Sequence, residues 1–208
     1  MNRRLVAYIA LALIFCSISG LHGQSDAKSK IECTARILTH DAAHKADVQM
    51  LIGNVEFSHE GAVCYCDTAY FNEKSNTVDA YGENLVVHLN DSVMLYGNHI
   101  LYDGNSKIAV ITKDTVVLTD ENTTLYTDKL VYDRNTERAY YNTYGKVVSG
   151  KSTLISRQGW YYTVSNDVFF KDSVVLVTPQ YKVESDTLRY NTLTEIAYFF
   201  GSHRYFVR

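Results

Sequence analysis

Leu85-Val86-Val87-His88-Leu89, Asn90-Asp91-Ser92, Val93-Met94-Leu95-Tyr96, Gly97-Asn98, His99-Ile100-Leu101-Tyr102 and Asp103-Gly104-Asn105 follow one another without a break. Apolar residues alternate with other side chains and are cut at short intervals by Asn, Asp, Gly and Ser. That is the pattern of strands joined by turns. The next stretch repeats it, with Val116 and Leu118, then Asp120-Glu121-Asn122, Leu125, Asp128, Leu130, Tyr132 and the turn Asp133-Arg134-Asn135. Residues 42–51 are the one stretch that could hold a helical turn.

Working outward, the same unit recurs about every 30 residues, the signature of a stacked architecture. Small apolar residues close each unit at Ala80, Ala109, Ala139, Val168 and Ala197. An apolar run opens each at Val55, Leu85, Val116, Val147 and Val174. A short polar residue stands four before an aromatic at Asp67, Asn98, Asp128, Ser156 and Asp186. Each unit reads as about three short strands, which bury their apolar face only by stacking on their neighbours. The inward face is expected to include Val55, Phe57, Leu85, Val87, Val93, Leu95, Val116, Leu118, Leu125, Leu130, Val174, Leu176, Val183 and Leu188. The recurring polar residues are expected to stack as a structural ladder at one corner, bonding turn backbone. The fold class is all-β, and the repeat by itself leaves open whether the strands run antiparallel or as a parallel β-solenoid.

Composition agrees. Of 208 residues, 17 are Tyr and one is Pro (Pro179), which suits pleated, half-buried surfaces. A 46% hydrophobic content supports a sizeable core, and a net charge of −3 argues against a nucleic-acid partner.

The first residues read as a processing signal. Asn2-Arg3-Arg4 is basic, residues 5–16 are apolar and uncharged, and small residues follow. Residues 1–23 are therefore expected to be a secretory signal peptide, 24–30 a short linker, and 31–208 one domain. The expected location is outside the cytoplasm. Three cysteines then remain, Cys33, Cys64 and Cys66. They are expected either as buried thiols or as a disulfide of Cys33 with Cys64 or Cys66, since an oxidising compartment permits one. At the other end, Ile196 to Phe200 begins a new apolar strand that stops at Arg208 without a polar cap. Either that edge pairs with a partner, or the chain is a shortened form of a longer protein.

Little catalytic chemistry is legible. Asp67, Asp128 and Asp186 could serve a carbohydrate-active β-solenoid. A regular ladder, however, does not supply the differing environments that separate the pKa values of an acid and a base. His40-Asp41 with His44 lacks further ligands at metal spacing. No nucleophile elbow or phosphate-cradling loop appears. The sequence calls for no enzyme activity, metal or cofactor. Tyr140-Tyr141, Trp160-Tyr161-Tyr162 and Tyr198-Phe199-Phe200 are either cross-strand pairs or a surface for acyl chains or sugars.

Several of these segments resemble a known family: Gly53-Asn54-Val55, Cys66-Asp67-Thr68-Ala69-Tyr70, Leu101-Tyr102-Asp103-Gly104, Asp128-Lys129-Leu130-Val131-Tyr132-Asp133, Ser185-Asp186-Thr187-Leu188-Arg189-Tyr190-Asn191 and Ala197-Tyr198-Phe199-Phe200-Gly201. In this order and spacing they are similar to the OstA-like group, related to the LptA-type periplasmic bridge proteins of lipopolysaccharide transport. The resemblance covers about residues 31–201. It implies a repetitive β-jelly-roll of mainly antiparallel strands, two sheets in a slightly open V. It also implies a periplasmic module whose apolar groove, the inward set above, shields lipopolysaccharide acyl chains on the way to the outer membrane. Other jelly-roll modules, or further copies of the chain, would join it by edge-strand pairing. A self-assembling structural repeat without lipid binding is the main alternative.

Overall fold

The computed structural model describes residues 29–40, 47–120, 123–162, 165, 167–191, 194 and 196–207. The expected signal segment and most of the linker lie outside these residues, as do Asp41 and His44. Among the described residues there are fifteen strands and no helix, so none long and apolar enough to cross a membrane. Val48 to Leu51, where a helical turn was conceivable, begin a strand instead.

The chain opens with two short pieces, β1 (Glu32–Thr34) and β2 (Ile37–His40), both pairing with β3 (Val48–His59). Long strands follow: β4 (Ala62–Asn72), β5 (Thr77–His88), β6 (Met94–Asp103), β7 (Ile108–Asp120) and β8 (Thr123–Asp133). Four short ones come next, β9 (Arg138–Tyr141), β10 (Gly145–Ser149), β11 (Ser152–Ser156) and β12 (Gln158–Tyr162). Three long ones complete the fold, β13 (Asp167–Val177), β14 (Tyr181–Asn191) and β15 (Ile196–Val207).

Every pairing among them is antiparallel, so the parallel solenoid gives way to the antiparallel jelly-roll. The repeating unit also differs from three short strands. It is two long strands, each bent once. Register shifts fall between Ile52 and Val55, Tyr65 and Thr68, Tyr81 and Leu85, Tyr96 and His99, and Thr112 and Val116. β13 and β14 shift likewise, after Lys171 and after Ser185. A bulge bends its strand and strengthens the local twist. In β3 the bend uses Gly53 and Asn54, at φ 76° and 50°.

The bends line up as a corner that divides the fold into two layers. Layer A holds the half-strands next to the turns after β4, β6, β8, β12 and β14. Layer B holds those next to the hairpins after β3, β5, β7, β10 and β13. At β8 the sheet forks: residues 131–133 pair with β9 in layer A, and residues 123–127 pair with β10 in layer B.

Turn chemistry repeats with the unit. Asn76, Lys107 and Glu137 take left-handed φ of 56°, 57° and 47° at the same place in three successive layer A turns. Asp103 Oδ1 accepts from the Asn105 and Ser106 amides at 2.8 and 3.2 Å, and Asp133 Oδ1 accepts from the Asn135 amide at 3.0 Å. Rungs join one turn to the next, as Asn105 Nδ2 donates to Ser75 O and Asn135 Nδ2 to Ser106 O, both at 2.7 Å. An Asx side chain thus closes each turn where the Asn/Asp/Gly clusters stand in the sequence.

Inside, two cross-strand rows face each other. In layer A the row runs Phe71, Val78, Tyr102, Ala109, Tyr132, Ala139, Tyr161, Val168, Tyr190, Ala197. Rings alternate with small residues, so each ring lies over the gap its neighbours leave. Ala80 is not in this row; Val78 holds its place. In layer B the row runs Cys33, Phe57, Cys64, Val87, Leu95, Leu118, Leu125, Val147, Leu154, Leu176, Val183.

Candidate functional site

The two layers do not meet equally along the molecule. In the first half their inner faces form one buried cluster, with Leu51, Val55, Ala69, Val78, Leu85 and Leu95 all at most 1% exposed. In the second half the buried cluster shrinks to Leu154, Phe170, Val174 and Leu188, with Val147, Val168, Leu176, Ala197 and Phe199 only partly covered against it. Between the layers there lies a cavity of about 380 Å³. Layer B contributes Leu118, Leu125, Val147, Leu154 and Leu176 to its wall; layer A contributes Tyr141, Trp160, Tyr161, Phe170 and Leu188. Asp120, Thr123, Ser149 and Ser152 edge it with polar atoms.

All fourteen residues expected on the inward face point inward. Twelve are buried, and Leu125 and Leu176 are half-buried. Five of the fourteen line the cavity, Val93, Leu118, Leu125, Leu176 and Leu188. The other nine pack in the closed half or near the corner. Sequence reasoning left Leu154, Tyr141, Phe170 and Trp160 out of the set. The alternation in Ser152-Thr153-Leu154-Ile155-Ser156 signals Leu154. Tyr141 stood in the sequence among the paired aromatics, and distant glycines give it its place: its ring occupies the space over Gly145 and Gly159, where an added Cβ would come within 2.2 and 2.4 Å of it. Burial pushes its hydroxyl up to about 12, and that hydroxyl is 2.6 Å from Ser156 Oγ. Burial also raises Tyr161, with the Asp120 carboxylate the next cause.

The corner residues sit outside this cavity. Asp67 Oδ2 accepts from the Glu83 amide at 3.1 Å, Asp186 Oδ2 from the Ser202 amide at 2.9 Å, and Asp128 Oδ1 from Thr143 Oγ1 at 3.0 Å. Asp67, Asn98, Asp128 and Asp186 are exposed; the Asp67 and Asp186 carboxylates each tie their strand to the next, and Asp128 holds the loop between β9 and β10. Ser156 is displaced by one position from this ladder. The register aligns Tyr161, not Trp160, with Tyr132 and Tyr190, so Arg157 takes the outward place. Ser156 falls in the inward column with Cys66, Thr127 and Ser185. All four donate from Sγ or Oγ to the carbonyl two residues on, across the bend.

Cys33, Cys64 and Cys66 are free thiols. The expected bridge assumed Cys33 on a strand adjacent to the other two. Instead β3 intervenes, because Cys33 pairs with Phe57 and Phe57 with Cys64. Two strand spacings are roughly 9.6 Å, beyond the roughly 7 Å Cα limit of a disulfide. Burial pushes the Cys33 thiol up to about 12 and raises Cys64 as well. No group of three His, Cys, Asp or Glu with metal-binding geometry occurs among the described residues.

The sequence model of the family described as OstA-like protein matches residues 28–186. Among curated proteins none matches the sequence. Among solved structures the chain is similar to LptH, described as the LptA homologous periplasmic component of the conserved lipopolysaccharide transport device from Pseudomonas aeruginosa. The match has 12% identity and a TM-score of 0.26, and covers 88% of this chain and 97% of that one.

Proposed function

The chain belongs to the OstA-like protein family, and from that premise we propose that it is a non-enzymatic periplasmic module that holds the acyl chains of lipopolysaccharide during transport to the outer membrane. The observation that carries this reading is the cavity between the layers. Its lining is mostly aliphatic and aromatic, and Asp120, Thr123, Ser149 and Ser152 stand at the hairpin ends of layer B. A molecule with apolar tails and a hydrated head fits that division, since each methylene moved out of water contributes about 0.8 kcal/mol. The layer B row supplies the tail surface across successive strands, and the half-buried Leu125 and Leu176 are the positions where a ligand would complete the burial.

The edges favour a second element of the reading. Among the described residues β15 pairs on one side only, with β14, and exposes Ile196, Tyr198, Phe200, Tyr205 and Phe206. β2 exposes Ile37 and Leu38 at the opposite end. Unpaired strand backbone flanked by apolar side chains is suited to strand addition, by another jelly-roll module or by a second copy.

The test is photo-crosslinking of purified lipopolysaccharide to benzophenone side chains placed at Leu125 and Leu176, with Tyr126 and Val175 on the outer face as controls. Adducts from the inner pair alone are expected. A folded protein that gives none from either pair would leave the structural, lipid-free module as the better reading.

A further inference from the structure

The face of layer B that turns away from the cavity carries almost no charge. An antiparallel sheet packed on one side normally alternates, apolar inward and polar outward. Two outward columns cross layer B from β4 to β13. The one nearer the corner runs Tyr65, Val86, Tyr96, Val117 and Tyr126, then through Lys146 to Val175. The one nearer the hairpins begins Val63, His88, Met94, Thr119 and Thr124 and reaches Val177. With histidine neutral, Lys146 is the one charged side chain in these two columns. Charge returns beyond them, at Glu56 on β3 and at Lys182 and Glu184 on β14.

Three tyrosines punctuate the first column on every second strand, β4, β6 and β8. Tyr65, Tyr96 and Tyr126 are 43%, 37% and 38% exposed, so none of them is sunk into the sheet. Neighbouring strands lie about 4.8 Å apart, which sets the rings roughly 9.6 Å from one another. Val86 and Val117 fill the places between, and Tyr–Val pairs of this kind stabilise a sheet wherever they occur. That role does not require the rings to stand clear or the positions around them to lack charge. The Tyr96 hydroxyl is 3.3 Å from Met94 Sδ, two residues along the same strand. The Tyr65 ring meets the His88 ring at 89°, with centroids 5.8 Å apart. Both tyrosines therefore lean along their strands toward the hairpins, and a ring that leans turns one face to solvent. In the neighbouring column Thr119 and Thr124 add a pair of hydroxyls, their Oγ1 atoms 3.5 Å apart.

Rings at a fixed interval, with hydroxyls beside them and almost no charge, suit a neutral polymer whose repeat is a disaccharide. A β-1,4-linked glycan is such a polymer. Its alternate sugars present the same face, and its repeat is close to two strand spacings. The C–H face of a pyranose packs on an aromatic ring, and the tyrosine tip and the sugar hydroxyls stay hydrated. Charge complementarity runs the same way: an anionic chain would meet one cation here, and a neutral chain needs none. We propose that Tyr65, Tyr96 and Tyr126 form a docking row for a β-1,4-linked glycan strand of the cell wall. Adjacent strands turn by about 20–25°, so successive rings turn by roughly 40–50° and the row fits a single twisted chain, not a flat crystalline surface. The row and the cavity lie on opposite faces of layer B, so a module bound to the wall in this way keeps its cavity free.

The test is isothermal titration of the full chain with chitohexaose, a soluble β-1,4-linked oligosaccharide, and with maltohexaose, of equal length but α-1,4-linked and coiled. Chitohexaose is expected to bind, and chitobiose about a hundredfold more weakly, because a disaccharide reaches one ring and not three. Maltohexaose should give no measurable heat at the same concentration. Tyr96→Val removes the middle ring and keeps a strand-forming side chain. It should weaken chitohexaose binding about tenfold, with the sheet signal in circular dichroism retained. No binding of chitohexaose, or equal binding of maltohexaose, would overturn the proposal, and both are read on the wild type whether or not the variant folds. A folded Tyr96→Val protein that binds as the wild type does would overturn it as well. Sedimentation reads the other occupants. A dimer, or binding to phosphatidylglycerol vesicles, that Tyr96→Val abolishes would assign the row to a second copy or to a membrane and overturn the glycan.

Discussion

The two halves of this molecule are built from one repeat and end in different states. Both carry bent strands, an inner row of rings and small residues, and an inner row of aliphatic residues. In the first half the rows touch. Phe57, Phe71 and Tyr102 are buried at 5%, 8% and 5% exposure, and the rim above them is strapped by Arg134 and Lys107. In the second half the unit breaks into the short strands β9 to β12, and a cavity takes the place of contact. The comparison teaches that a repeat fixes the two layers and the corner but not how closely the inner faces meet. How closely they meet follows from how well the facing rows fill the gap.

The sharpest way to break the comparison is to put the same charge into each half. Leu95 is 1% exposed in the closed half, and Leu95→Asp leaves a carboxylate with no partner there. The cost should exceed about 4 kcal/mol, enough to prevent folding. Leu125 stands in the same row but is half-buried at the cavity. Leu125→Asp should fold and lose acyl binding. Urea unfolding and lipopolysaccharide crosslinking separate the two, and equal loss of structure in both would deny the difference between the halves. A milder pair follows. Leu85→Ala, at 0% exposure, should cost about 2–5 kcal/mol, and Leu176→Ala clearly less, read as the difference in urea midpoints.

Smaller again is Tyr102→Phe. It removes the donor to His59 Nδ1 and leaves that buried ring nitrogen unpaired, at a cost of about 1–3 kcal/mol. Thermal unfolding should show the loss, while ligand capture at Leu125 and Leu176 stays unchanged. A matching loss of capture would mean that the His59–Tyr102 contact and the cavity are one site.

How much of this was legible follows the same division. Alternation and turn residues placed the inward face, because a strand has a fixed period of two and Leu85, Val87 and Leu95 obey it. The period near 30 was legible because Asp103 and Asp133 close equivalent turns with the same bonds. What failed was phase near the irregular units. Ala80 and Ser156 fit their columns by spacing alone, yet Val78 and Arg157 occupy those places, since bulges and the fork at β8 change the residue count between columns. Antiparallel direction came from the family resemblance and not from periodicity, which is the same in either direction. The cavity was invisible, because Leu118 and Leu125 look alike in sequence to Leu85 and Leu95. Contacts such as those of His59, Lys107 and Arg134 cross separations that no local pattern records.

The least effect is expected at Glu60, and it tests the strap of polar contacts at the closed end without touching the core. The bond from Lys107 holds the Glu60 carboxyl below its ordinary value of 4.5, against an opposing effect of burial and with the Lys107 and Arg134 charges acting in the same direction as the bond. A carboxyl whose folded pKa is depressed contributes stability above its unfolded pKa and loses it as pH falls through the folded value. Glu60→Gln should therefore melt slightly below the wild type at neutral pH. The two melting temperatures should converge once the pH drops well under 4.5, where the wild-type carboxyl is protonated and resembles the amide. Because the pair is partly exposed, added salt should shrink the neutral-pH gap. A gap that persists unchanged into acid would mean that Glu60 acts through the shape of the hairpin tip and not through its charge, and the strap would then rest on Arg134 and Tyr102 alone.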